Sequence, residues 1–257
     1  MSSMTIALIT FACIFSGALL GMCLSLALPE HHLSNESKET VKLGAGLVAT
    51  MAALVLGLLV GSAKSSFDAM NNGITEMGAK TIMLDRVLAN YGPESKDARD
   101  AIRGTIFTAM RHIWPEEKTE KIQIDVVEKS TGMEEIQKRI RGLAPQTDTQ
   151  RLLQSQALQI SSDLAQMRWM LIEQRQKSLP TTFLVVLVFW LAMLFTSFGL
   201  FAPRNATVFA VLCISALSVS GALFLILEMN SPLEGMIKIS SAPLHKALEH
   251  LGKDAGK

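Results

Sequence analysis

Few side chains in this chain combine a reactive type with a spacing that could do chemistry. His31 and His32 follow Glu30 directly, so two imidazoles and a carboxylate stand together. A structural or catalytic zinc site draws its ligands from a defined framework. No further His or Cys accompanies this trio, so it reads as a solvated connection. His112, His245 and His250 are scattered. Cys13, Cys23 and Cys213 sit in apolar stretches without a C-x-x-C pair, where a thiol behaves as a small hydrophobe. There is no nucleophile–base–acid set, phosphate-binding glycine loop, H-E-x-x-H helix or dinucleotide fingerprint. The expectation is a protein with no catalytic residues, no metal site and no cofactor. Two ionisable groups stand out, Lys64 and Glu228, because each closes a long apolar run. They read as interfacial anchors at helix ends.

Those runs set the architecture. Thr5–Leu28, Leu43–Ala63, Thr181–Phe201 and Ala206–Leu227 each lack Asp, Glu, Lys and Arg. At a rise of about 1.5 Å, roughly 20 residues span a bilayer core of about 30 Å. Overall, 49% of residues are hydrophobic and 18% charged, and almost every charge lies outside the four runs. The expected fold is an all-α membrane protein with four transmembrane helices in two hairpins. The hairpins fall in residues 1–63 and 180–228, with a helical cytoplasmic domain over 64–179 and a tail over 229–257. The first run reads as retained, because no Lys or Arg precedes Lys38 and a signal's apolar region is only about 7–15 residues.

Charge gives the expected orientation. Lys64–Leu179 holds 17 Lys and Arg and the stretch after Leu227 holds 4, against Lys38, Lys42 and Arg204 in the two short connections. By the positive-inside rule, both termini and the central domain face the cytoplasm. The net charge of +1 gives no field for nucleic acid, and no such partner is expected. Asn35-Glu36-Ser37 and Asn205-Ala206-Thr207 match the glycosylation pattern, which so short a motif does by chance.

Two helices should continue the bundle into the cytoplasm. Phe67, Met70, Ile74, Met77, Thr81, Leu84 and Leu88 form a seam of threes and fours that follows the second run without a break. Gly92-Pro93 stops it, so Leu43–Tyr91 reads as one helix. A helix over Glu94–His112 and a short one over Met133–Arg141 come next. Ile122–Val126 between them alternates like a strand. Thr147 or Asp148 caps a last soluble helix, with Leu153, Ala157, Ile160, Leu164, Met167 and Leu171 as its seam. The simplest packing sets the two seams antiparallel, as core.

Gly17 and Gly21 in the first run, and Gly57 and Gly61 in the second, are small residues spaced by four, which let membrane helices approach closely. They fit packing within the chain or against another subunit. None of the runs carries a mid-membrane charge or break of the sort ion-coupled transporters use. Apolar, small-residue spans fit a narrow hydrophobic pore.

The stretch Leu225-Ile226-Leu227-Glu228-Met229-Asn230-Ser231-Pro232-Leu233-Glu234-Gly235 is the most specific in the chain. With Ile237–Leu244, Leu179-Pro180, Phe198–Pro203, and Tyr91-Gly92-Pro93-Glu94 followed by Arg99 and Arg103, it resembles the bacterial bestrophin-like domain family. The resemblance covers Leu43 to the C-terminus. It implies an oligomeric ion channel of the bacterial inner membrane with inorganic ions, the lipid bilayer and further copies of itself as partners. It also implies a pore lined by the second span, with Thr50, Leu54, Gly57, Leu58, Gly61, Ser62 and Ser65 as lining candidates beside Ser66. Glu228, Asn230, Pro232, Glu234 and Gly235 form the post-membrane motif. It resembles the segment that precedes the acidic calcium clasp of animal bestrophins, but the acidic run itself is missing. The alternative is a non-conducting sensor or scaffold that relays signals through the cytoplasmic helices.

Overall fold

A computed structural model describes residues 2–29, 34–114, 132–176, 181–233 and 235–251. The helices are α1 (Ser3–Ala27), α2 (Asn35–Tyr91), α3 (Lys96–Ile113), α4 (Met133–Arg141), α5 (Asp148–Gln176), α6 (Thr181–Phe201), α7 (Ala206–Met229) and α8 (Ala242–His250). A 3-10 turn over Pro93–Ser95 precedes α3, and no strand occurs among the described residues. The His31-His32 pair with Glu30, the alternating Ile122–Val126 and Leu179-Pro180 lie outside the described residues.

Two compact units share the chain. One combines Met1–Phe67 with Ser178–Ile237, the other Asp68–Lys177 with Lys238–Lys257. The first holds α1, α6, α7 and the N-terminal part of α2, and all four helices are long and apolar enough to cross a membrane. Ile14, Ala18, Leu187, Leu191, Ala216 and Leu223 are central to its core. The tightest contact joins α1 to α6. A Cβ built on Gly17 would stand 2.7 Å from the Ala192 carbonyl oxygen. One on Gly21 would meet the Thr196 carbonyl and stand 2.9 Å from the Leu200 nitrogen, and one on Gly199 would run into the Ala18 carbonyl. These three glycines let two backbones touch, so the Gly17/Gly21 pair is used inside the chain. Phe15 seats edge-on against Phe209 at 5.3 Å and ties α1 to α7. Asn205 caps α7, accepting from the Val208 amide at 2.8 Å, so its side chain already has a structural task.

Helix α2 begins at Asn35, not at Leu43 where the apolar run starts. Ser34 explains this. Its hydroxyl accepts from the Ser37 amide at 3.3 Å and its carbonyl from the Lys38 amide at 2.9 Å, which makes it an N-cap. Hydropathy marks where a helix meets lipid, whereas capping marks where it starts.

In the second unit, the α2 seam is core as expected. Met70, Ile74, Thr81, Leu84 and Leu88 are buried, and so are Ala157, Ile160 and Leu164 of α5. The pairing is antiparallel. Leu171 packs on Gly73, Asp163 takes a 2.8 Å hydrogen bond from Lys80, and the Gln150 amide donates to the Tyr91 carbonyl at 3.1 Å. Residue numbers rise on one helix as they fall on the other. The Asp163 hydrogen bond holds the Lys80 ammonium above its usual range, and the Lys80 bond holds the Asp163 carboxyl below its own. Thr147 caps α5 through the Gln150 amide at 3.1 Å. Helix α3 ends before Trp114, whose indole donates to the Ile239 carbonyl at 2.9 Å in a buried contact. Pro243, at the start of α8, rests its carbonyl on Gly78 of α2.

Candidate functional site

The membrane part of α2 has two unlike faces. Ala52, Leu59 and Ala63 are buried in the bundle of their own unit. Thr50, Leu54, Gly57, Leu58, Gly61, Ser62 and Ser65 are all exposed, with Leu54 at 66% and Leu58 at 74%. Ser66 is half-buried. All seven candidates from the second span thus share one bare side of the helix. A Cβ built on Gly57 or Gly61 meets nothing within 4 Å, in contrast to Gly17 and Gly21. Of the four spans, α2 is the least covered: 17% of its most apolar window is buried, against 28–33% for the others. The Thr50 hydroxyl donates back to the Gly46 carbonyl at 2.9 Å and so ties its proton to its own helix. At the end of this face, Lys64 stands 5.8 Å from the Phe67 ring, a cation–π distance.

The post-membrane motif forms a closed turn at the end of α7. Glu228 is buried. Its carboxylate accepts from the Met236 amide and, at 3.4 Å, from the Ile237 amide. The Ser231 amide bonds the Glu228 carbonyl and the Gly235 amide bonds the Ser231 carbonyl, each at 3.1 Å. A Cβ on Gly235 would push the Glu228 carboxylate from its place over the turn. Asn230 and Pro232 are half-buried in this turn, and Glu234 lies outside the described residues. The sequence reads Glu228 as an interfacial anchor. The structure instead gives it two backbone donors, and a buried carboxylate needs such partners. Glu228→Ala should leave both amides unpaired at a cost of about 1–3 kcal/mol. Glu228→Gln keeps an acceptor and should lose less. Chemical unfolding of the purified variants in one detergent would rank them.

The Tyr91–Glu94 segment marks a second constellation, in the other unit. Gly92 has φ +129, the only positive φ among the described residues. Side chains rarely adopt that conformation, and it turns the chain sharply out of α2. The Ser95 hydroxyl is buried, 2.5 Å from the Leu88 carbonyl and 2.8 Å from the Gly92 carbonyl, and so closes the corner. Across it Arg99 forks onto Asp85, with Nε to Oδ1 at 2.8 Å and a terminal nitrogen to Oδ2 at 3.2 Å. Asp85 is 1% exposed. Sequence reasoning missed this acid, which sits inside an apolar seam. A charge in a seam, followed by an Arg beyond a helix stop, is the signal that would have found it. Burial, and secondarily the Glu94 charge, pushes the Tyr91 phenol up.

No group of three or more His, Cys, Asp and Glu gathers as a metal site among the described residues.

The model of the bestrophin-like domain matches residues 12–244. Crystal structures of substituted forms of a bacterial bestrophin homologue from Klebsiella pneumoniae have a similar fold. One superimposes with a TM-score of 0.63 at 15% identity, and two more with 0.62 at 15% and 14%. Each comparison covers 95% of this chain and 99% of the other. No curated protein matches. A domain match over most of the length, four apolar spans and a shared all-helical fold agree with one another. The chain belongs to the bestrophin-like family and is an integral membrane protein.

Proposed function

We propose that this protein is a homo-oligomeric ion channel of the bacterial inner membrane whose pore is lined by the bare face of α2. The observation that carries the reading is that face itself. It runs from Thr50 to Ser65, is the least covered surface of the four spans, and mixes small, hydroxyl and apolar residues with a charge only at its end, Lys64. Copies of α2 placed around an axis would enclose a narrow, largely apolar path, and hydrophobic constrictions gate by dewetting. The distribution of Lys and Arg favours cytoplasmic termini and a cytoplasmic second unit.

Purified protein in planar bilayers should give unitary currents. Leu54→Ala and Leu58→Ala should change the unitary conductance, whereas Leu225→Ala should not, since Leu225 is an exposed apolar residue of α7. Silent bilayers from an intact oligomer would overturn the reading. The relay alternative draws on one observation, that α2 is unbroken from Asn35 to Tyr91. One alanine inserted between Met77 and Gly78 rotates everything beyond it by about 100°. A conducting oligomer that ignores the insertion would remove the reason to invoke a relay.

A further inference from the structure

A groove of about 470 Å3 opens between the N-terminal part of α2 and the C-terminal end of α6. Ala45 and Ala49 of α2 and Phe198 and Phe201 of α6 give it an apolar lining, and Lys38 and Lys42 also line it. The uncharged run of α2 begins at Leu43, directly after Lys42. The two ammonium groups therefore lie at headgroup level and the apolar lining at acyl level. From Lys38 to Ala49 the helix descends roughly 16 Å, about half of a bilayer core. Neither lysine has a carboxylate partner among the described residues. Like charges one turn apart repel, and an anion held between them removes that repulsion.

We propose that this groove binds one anionic phospholipid. Its phosphate sits between Lys38 and Lys42, and an acyl chain lies along Phe198 and Phe201. A free anion would use the lysines but leave the apolar lining empty. A second copy of the chain would have to bury two ammonium groups, which costs heavily unless it brings carboxylates to them.

Native mass spectrometry of the full-length protein, titrated with phosphatidylglycerol, phosphatidylcholine or glycerol phosphate, tests this. One phosphatidylglycerol per protomer should be retained at least tenfold better than phosphatidylcholine, because each lysine near an anionic headgroup contributes roughly a fivefold preference. K38Q/K42Q should abolish that preference and leave phosphatidylcholine retention unchanged. Ala49→Trp, which fills the groove without changing charge, should lower retention of phosphatidylglycerol. Lys246→Gln, on the exposed side of α8, should change nothing and guards against a general charge effect. Single Lys38→Gln and Lys42→Gln variants cover the case in which the double variant does not fold. Three outcomes would overturn the proposal: equal retention of the two lipids, parental lipid preference in K38Q/K42Q, or glycerol phosphate bound as tightly as the lipid. So would cross-linking of Ala45→Cys between protomers that excludes lipid, since a second copy would then occupy the groove.

Discussion

Asp85→Ala should destabilise the protein by about 3–5 kcal/mol, the cost of leaving one member of a buried ion pair without its partner. The Arg99 side chain, only 14% exposed, then loses the carboxylate that takes both prongs of its fork. A surface pair would give no such loss, because exposed ion pairs contribute about 0–1 kcal/mol. The Lys80–Asp163 pair is the internal control: both side chains are more open to solvent, so Asp163→Asn should have a small effect. Asp85→Asn should fall between the two, since the amide oxygen still accepts one hydrogen bond but carries no charge. The measurement is urea unfolding in detergent of a background with Trp169 and Trp190 replaced by Phe, followed by the fluorescence of Trp114, which is buried in the same unit. A loss for Asp85→Ala no larger than that for Asp163→Asn would show that the fork contributes no more than a surface pair. Replacing Asp85 and Arg99 together by apolar residues should recover much of the loss.

Gly21→Leu should separate α1 from α6. Even the first carbon of the new side chain collides with the Thr196 carbonyl and the Leu200 nitrogen, and backbone cannot swing aside as a flexible side chain does. The expected cost is at or above the top of the roughly 1–3 kcal/mol of overpacking, with loss of monodisperse protein on size exclusion. Gly57→Ala and Gly61→Ala make the contrast. Their Cβ atoms meet open space, so the folded chain should keep its stability or gain up to about 1 kcal/mol of helix propensity. If the bare face of α2 meets another subunit or a pore, those two substitutions should alter oligomer recovery or current and leave the fold intact. Equal loss of fold from Gly21→Leu and Gly61→Ala would erase the distinction between the two glycine pairs.

The sequence made the scaffold legible to differing degrees. Apolar length placed all four spans, and spacing by threes and fours placed both soluble seams, because burial of a stripe is local information. Met133–Arg141 was readable end to end, since charge and apolar periodicity both stop there. The start of α2 was not, because Ser34 caps it through a short polar contact that hydropathy does not register. The two glycine pairs look alike in sequence. What separates them is Gly199, roughly 180 residues away from the first pair, and no local pattern announces that meeting. In sequence Glu228 is a charge at the end of an apolar run, yet its task depends on a turn that brings Met236 back to it. Pro232 and Gly235, so soon after a helix end, are the trace of that turn. Asp85 was hidden by its apolar neighbours Leu84 and Leu88, and its partner lies beyond a helix stop.

The contact of α1 with α6 also sets an order of events during synthesis. Gly17 and Gly21 enter the bilayer early, while Ala192 and Thr196 are made roughly 175 residues later. At about 5–20 residues per second, the glycine face of α1 waits roughly 10–35 s for its partner to be made. That face is then an open docking strip with no partner yet translated. Docking of the second hairpin is therefore a late assembly step, and a stalled ribosome before Thr181 should leave an inserted but unfinished bundle sensitive to membrane proteases.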